Sequence, residues 1–164
     1  MEQQAYLACG CFWGSQALFD QLAGVMQTEV GYMGDNEEQA HYDIVKYGTT
    51  AHKETLKVTY NADQISYEAI LKYFFEIHDF SQEDGQGPDI GEQYKSVIFY
   101  QNETEHATAQ AIINLLKKHK YHVATQLSPA MPFYRAEEYH QKYYAKHHAS
   151  PYCHIHRNIF DKLS

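Results

Sequence analysis

The sequence predicts an α+β fold, a two-layer sandwich in which helices pack on a mixed β-sheet. Three observations carry that prediction. Hydrophobic periodicity switches along the chain in the order strand, helix, strand, strand, helix, strand, helix, strand. The helices therefore stand between strands, an order that suits a sheet covered by helices rather than a bundle or a β-sandwich. The 164 residues are also the size of one ordinary domain and can bury a sizeable core, so residues 1–164 are expected to form a single unit.

Each element has its own justification. Tyr6-Leu7-Ala8-Cys9 ends a first strand, and Leu18, Phe19 and Leu22 recur at helical spacing until Gly24 supplies a stop. Residues 26–33 read as a second strand, closed by the turn signal Gly34-Asp35-Asn36. Residues 37–52 are polar without a clear period and are expected to be a surface loop with one helical turn. Residues 54–60 alternate, with Leu56, Val58 and Tyr60 on one face and Thr55, Lys57 and Thr59 on the other. Ser66 is an N-cap, Ile65 and Ile70 are placed as a hydrophobic staple, and Ile70, Leu71, Phe74 and Ile77 give the buried stripe of a helix ending near His78-Asp79. Residues 81–93, rich in Gly, Asp, Glu and Gln, form a polar loop of the kind that holds function. Residues 94–100 read as a central strand because Val97-Ile98-Phe99 is apolar on both parities. Asn102-Glu103-Thr104-Glu105 resembles a capping box for a helix with Ala107, Ala111, Ile112, Leu115 and Leu116 on one face, and residues 123–127 make a last short strand. Together these elements contain a ferredoxin-like βαββαβ core. Past Pro129 the pattern changes: residues 137–148 are helix-compatible but almost entirely polar and aromatic, and an irregular C-terminal tail from about residue 149 is expected to lie over the surface.

The chemistry is concentrated at Gly10-Cys11-Phe12-Trp13-Gly14, a strand-to-helix turn. Amide groups in a first helical turn lack partners within the helix, and the aligned peptide dipoles add partial positive charge, so a sulfur placed there is favoured as thiolate. Lowering a thiol pKa from about 8.5 to about 7 takes the reactive fraction from a few per cent to roughly half at neutral pH. Cys11 is thus a candidate nucleophile, with Phe12 and the chain's one tryptophan, Trp13, beside it. A second candidate is Glu54, which falls on the apolar parity of its strand. A carboxyl on the core side loses hydration and keeps its proton to higher pH, whereas one that bends back to water does not.

Composition excludes several classes. The net charge of −8 leaves no basic stripe for nucleic acid, and Lys117, Lys118 and Lys120 fit better as cations at a helix C-terminus. No stretch is apolar enough to span a membrane, and Met1-Glu2-Gln3-Gln4 is unlike a signal peptide, so a cytoplasmic location is expected. Three cysteines, Cys9, Cys11 and Cys153, are too few for a disulfide scaffold and point to catalytic, redox or metal-binding sulfur. Fifteen tyrosines call for hydroxyl partners or a wet cleft.

The Gly10–Gly14 stretch is followed in order by Thr28-Glu29-Val30-Gly31-Tyr32, Tyr42, His52, Glu54, His78-Asp79 and Gln86-Gly87-Pro88-Asp89-Ile90-Gly91-Glu92-Gln93-Tyr94-Lys95-Ser96. This ordered set resembles the A-type peptide methionine sulfoxide reductases. The resemblance implies an enzyme that returns methionine sulfoxide, free or in proteins, to methionine, with preference for the S epimer at sulfur and with no cofactor. It implies Cys11 as nucleophile, Phe12 and Trp13 as the pocket for the substrate methyl group, Glu54 as acid, and Tyr42, Asp89 and Tyr94 around the sulfoxide oxygen and a bound water. Loss of methionine leaves a sulfenic acid that a second thiol converts to a disulfide, for thioredoxin to reset. Cys153 resembles the family's C-terminal recycling cysteine, whereas Cys9, two residues from Cys11 in a strand, suits a packed core thiol better because a loop disulfide there would be strained.

Two departures stand out. The chain has Ala51-His52-Lys53-Glu54 where the family more often has Gly-His-Ala-Glu, and Cys153 lacks glycine-rich surroundings. Lys53 falls on the strand face opposite Glu54 and is not expected to ionise it. An alternative outside this class is a zinc-binding protein using Cys9, Cys11, Cys153, His154 and His156, although paired C-x-x-C spacing is absent.

Overall fold

A computed structural model describes residues 1–148 and 154–163. Its first half runs β1 (Glu2–Cys9), α1 (Phe12–Phe19), β2 (Val25–Met33), α2 (Tyr42–Val45), β3 (Lys53–Asn61) and α3 (Tyr67–Glu76). The second half runs β4 (Gly85–Gln86), β5 (Asp89–Ile90), β6 (Ser96–Tyr100), α4 (Glu103–Lys118), β7 (Gln126–Pro129), β8 (Tyr134–Arg135) and α5 (Tyr143–Lys146).

The alternation in β3 puts Leu56, Val58 and Tyr60 on one buried face. That strand is central, pairing antiparallel with β1 (Leu7 opposite Leu56) and with β2 (Val30 opposite Leu56). The free side of β1 pairs antiparallel with β6 (Leu7 opposite Ile98), so the inner order β6-β1-β3-β2 is the expected βαββαβ core. Parallel β7 beside β6 makes the sheet mixed, and β8 extends the β2 side, which gives the order β7-β6-β1-β3-β2-β8. Residues of α1, α3 and α4, including Phe19, Phe74, Ile112 and Leu116, share one core with Leu7, Leu56, Val58 and Ile98. On the opposite sheet face Ala8, Met33, Val97 and Phe99 form a smaller cluster under Tyr6, Ala130 and Phe133.

Local signals act as the sequence indicates. Ser66 Oγ accepts the Ala69 N–H at 3.1 Å, and Asn102 Oδ1 accepts the Glu105 N–H at 2.9 Å. The return bond of the second cap runs to Gln101 N–H at 2.9 Å, one residue outside a standard capping box.

Four segments differ from expectation. The 37–52 connection carries a 3-10 turn (Glu37–Gln39) as well as α2. The 81–93 loop is pinned by the small hairpin β4–β5 and ends in a 3-10 turn, Glu92–Tyr94. The last core strand begins at Gln126 rather than near 123, because Ala124 N–H is taken by the Phe80 carbonyl at 2.7 Å before pairing with β6 begins. Residues 137–148 form a 3-10 turn (Glu138–His140) and the short α5, not one helix. Tertiary bonds replace the helical ladder there: the Gln141 side chain binds both Val30 N–H and C=O, and Lys142, left-handed at φ 54, gives its N–H to Gln16 Oε1 at 2.7 Å.

Candidate active site

β1 ends at Cys9, and Gly10 turns the chain at φ +91, a conformation costly for any residue with a Cβ. A side chain there would also strike Gln86, whose Cβ lies 2.7 Å from where the added carbon would sit. The glycine thus lets the Gln86 loop close over the turn. Buried Gln86 in turn accepts the Asp79 N–H at 2.7 Å and donates to the Asp79 carbonyl at 2.9 Å, which ties the hairpin carrying Asp89 to the chain just past α3. Cys11 follows as the N-cap residue of α1 and is half-buried.

Glu54 enters from β3, opposite Tyr32 of β2, and is 3% exposed. Its Oε1 accepts the Phe12 N–H at 3.2 Å, so the carboxyl takes up one of the amides that the start of α1 leaves without a helical partner. Burial, with the neighbouring Cys11 and Asp89 charges, pushes the Glu54 pKa well above the ordinary carboxylate range, against the opposing pull of the Phe12 bond. The acid therefore holds its proton where a surface glutamate would not. Lys53 points away, its ammonium bonded to Glu92 Oε1 and the Ala51 carbonyl, both at 2.8 Å.

Cys11, Phe12, Trp13, Tyr42, Glu54, Asp89 and Tyr94 line one hollow of ≈ 90 Å³. These seven come from five places in the fold: the start of α1, α2, β3, β5 and the 92–94 turn. Burial, with Glu54 nearby, raises the Tyr42 and Tyr94 pKa values, so both phenols remain hydrogen-bond donors at neutral pH. The Trp13 indole is fixed on two sides. It stacks on Tyr143 with centroids 3.8 Å apart and planes at 6°, and its Nε1–H donates to His140 Nδ1 at 3.0 Å. That bond requires His140 Nδ1 to be unprotonated, and burial lowers the His140 pKa in keeping with a neutral ring. A small apolar wall, a sulfur and several neutral proton donors thus face the same space, an arrangement suited to attack on a substrate atom whose oxygen must be protonated as it leaves.

The sequence model described as peptide methionine sulfoxide reductase matches residues 3–163. The chain belongs to that family. A peptide methionine sulfoxide reductase MsrA of Thermus thermophilus is 41% identical over 155 residues, covering 94% of this chain and 88% of the relative. The reduced form of Mxr1 from Saccharomyces cerevisiae superposes with a TM-score of 0.88 at 32% identity, covering 96% of this chain and 93% of that one. Mxr1 in complex with Trx2 matches at a TM-score of 0.64 and 24% identity, over 96% and 91% of the two chains. Thiol-dependent reduction of methionine sulfoxide is accordingly the activity of this chain.

Of the other residues singled out in the sequence, Cys9 is buried at the end of β1, and its carbonyl accepts the His154 Nε2–H at 2.6 Å. His156 pairs instead with Glu76 Oε1 at 3.0 Å. Among the described residues no three His, Cys, Asp or Glu side chains gather as a metal site would need. Cys153 lies outside the described residues. Sequence reasoning missed the part of 137–143 in this hollow, namely Glu137, which holds Tyr42, and His140 and Tyr143, which hold Trp13. The available signal was the run of aromatic and histidine residues in a stretch too polar for a core helix, together with a Trp13 N–H that needed an acceptor.

Proposed function

We propose that Cys11 attacks the sulfur of methionine S-sulfoxide, free or within oxidised proteins, while Glu54 gives its proton to the departing oxygen. The observation that carries this reading is the buried Glu54 carboxyl, bonded through Oε1 to Phe12 N–H in the hollow that Cys11 also lines. With Oε1 accepting from the backbone, Oε2 is the oxygen placed to hold the acid proton. Phe12 and Trp13 take the substrate methyl group, Tyr42 and Tyr94 donate to the sulfoxide oxygen, and Asp89 orders the polar side of the hollow.

As Cys11 Sγ bonds to the substrate sulfur, the sulfur–oxygen bond breaks and the oxygen, protonated by Glu54, leaves as hydroxide. That oxygen then bonds to Cys11 Sγ, the sulfur–sulfur bond breaks, and methionine departs with the electron pair, which leaves Cys11 as a sulfenic acid. A second thiol, assigned to Cys153, displaces that hydroxyl as water and forms a disulfide. A thioredoxin dithiol then reduces the disulfide by exchange. Mxr1, which shares the fold, forms a complex with Trx2. A reducing cytoplasmic setting suits this cycle, in which residues 1–164 act as one reductase domain.

Incubating the reduced protein separately with the two sulfoxide epimers, then counting methionine released and thiols remaining, tests the scheme. The S epimer should yield methionine with loss of two thiols and the R epimer none, and Cys11→Ser should abolish turnover. Equal use of both epimers, or turnover without Cys11, would remove the assignment.

A further inference from the structure

Glu137 stands outside the hollow, yet its carboxylate holds two of the surrounding aromatic residues. Its Oε1 accepts the Tyr32 hydroxyl at 2.9 Å, and its Oε2 accepts the Tyr42 backbone N–H at 3.0 Å, a link across 95 positions of sequence. Tyr32 is fully buried, pairs with Glu54 across β2 and β3, and has its ring 5.8 Å from that of Phe12. Tyr42 opens α2, a single turn that cannot hold itself and whose preceding residue, His41, offers no side-chain cap. The other end of that turn is tied by Gln93 Nε2, which donates to the Lys46 carbonyl at 3.1 Å. The turn carrying Tyr42 is therefore fastened at both ends, and Glu137 supplies the fastening at the residue that lines the site.

We propose that Glu137 is a positioning residue for sulfoxide reduction: by accepting the Tyr42 N–H and the Tyr32 hydroxyl together, it locks the start of α2 onto β2 and aims the Tyr42 phenol into the hollow. The proposal rests on the role given to Tyr42 above. Although burial opposes its charge, the bonds from its own backbone N–H, from Tyr42 N–H and from the Tyr32 hydroxyl prevail and hold the Glu137 carboxyl below its ordinary range, as a standing acceptor requires. A displacement of about 1 Å at such a group can cost on the order of 10²-fold in rate, so a backbone anchor one residue deep can matter as much as a contact with substrate.

The test measures single-turnover methionine formation and thermal melting for Glu137→Ala, Glu137→Gln, Tyr42→Phe and the pair Glu137→Ala/Tyr42→Phe. The expected results are a loss of about tenfold for Glu137→Ala and rescue to within about threefold by Glu137→Gln, whose amide can accept from Tyr42 and donate to Tyr32. In the Tyr42→Phe background Glu137→Ala should add less than about threefold, because both changes remove the same phenol from its place. A Glu137→Ala loss that multiplies in full on that of Tyr42→Phe would overturn the positioning role while leaving Tyr42 in the mechanism. A Tyr42→Phe variant as fast as the unaltered protein would remove the Tyr42 assignment itself. Should Glu137→Ala not fold, the Tyr42 amide resonance of the unaltered protein decides: it should titrate with the Glu137 carboxyl, and an amide that ignores that titration overturns the proposal.

Discussion

The backbone N–H of Phe12 donates to Oε1 of Glu54 at 3.2 Å, across 42 positions of sequence. Through this bond the residue after Cys11 orients the Glu54 carboxyl, so the turn at Cys11 and the start of β3 are held together.

The first consequence is a pH profile. Burial and the Cys11 and Asp89 charges raise the Glu54 pKa, and the protonated form is the one that can serve as acid. The single-turnover rate should therefore fall on the alkaline side, as pH rises through that raised value. Stopped-flow rates across pH should show this limb in the unaltered protein and lack it in Glu54→Gln.

His140 should matter to substrate binding although it is 1% exposed and does not line the hollow. Replacing it by leucine leaves the part-buried Trp13 N–H without its acceptor, a loss of about 1 kcal/mol. The expected signs are a lowered Tm and a raised KM for methionine sulfoxide, because the indole then loses one of its two restraints. An unchanged KM would mean that stacking on Tyr143 suffices.

A second buried histidine should contribute to the loss of stability in acid. His78 Nδ1–H donates to the Phe74 carbonyl at 2.6 Å, which leaves Nε2 to accept from Ser96 Oγ at 2.8 Å, and Ser96 contacts Thr125 Oγ1 at 2.7 Å. Burial is the main cause that lowers its pKa from 6.5 to about 3. Because the unfolded chain binds the proton first, this contribution is fully present above pH 6.5 and is lost along a downward slope as pH falls from 6.5 towards about 3. Urea titrations at several pH values should show that slope, and His78→Asn should flatten it.

Cys153→Ser should separate reduction from recycling. The variant is expected to release about one methionine per protein and then stop when thioredoxin is the only reductant. Continued cycling would assign the resolving step to Cys9 or to direct reduction of the sulfenic acid.

The sheet and the near side of the site were legible because strand parity and cap chemistry are local. Leu56, Val58 and Tyr60 share a face, Ser66 caps α3, and Glu54 is buried, the core-side one of the two readings that its parity left open. The far side was not legible, because its structure is set by bonds between distant residues. Gln141 exchanges hydrogen bonds with Val30, Lys142 gives its N–H to Gln16, and Glu137 accepts from Tyr32 and Tyr42, and these bonds break an otherwise helix-compatible stretch into short turns. No periodicity encodes such partners. The left-handed Lys142 is invisible to propensity for the same reason.

The most direct measurement of the central claim is rapid-quench methionine formation in a single turnover by Glu54→Gln, alongside alkylation of Cys11 in the same preparation. If the buried carboxyl delivers the proton, methionine should form 10²- to 10⁴-fold more slowly, on the order expected for a lost general acid, while Cys11 still alkylates readily. A slowing of less than about tenfold, with the sulfur equally reactive, would contradict the account.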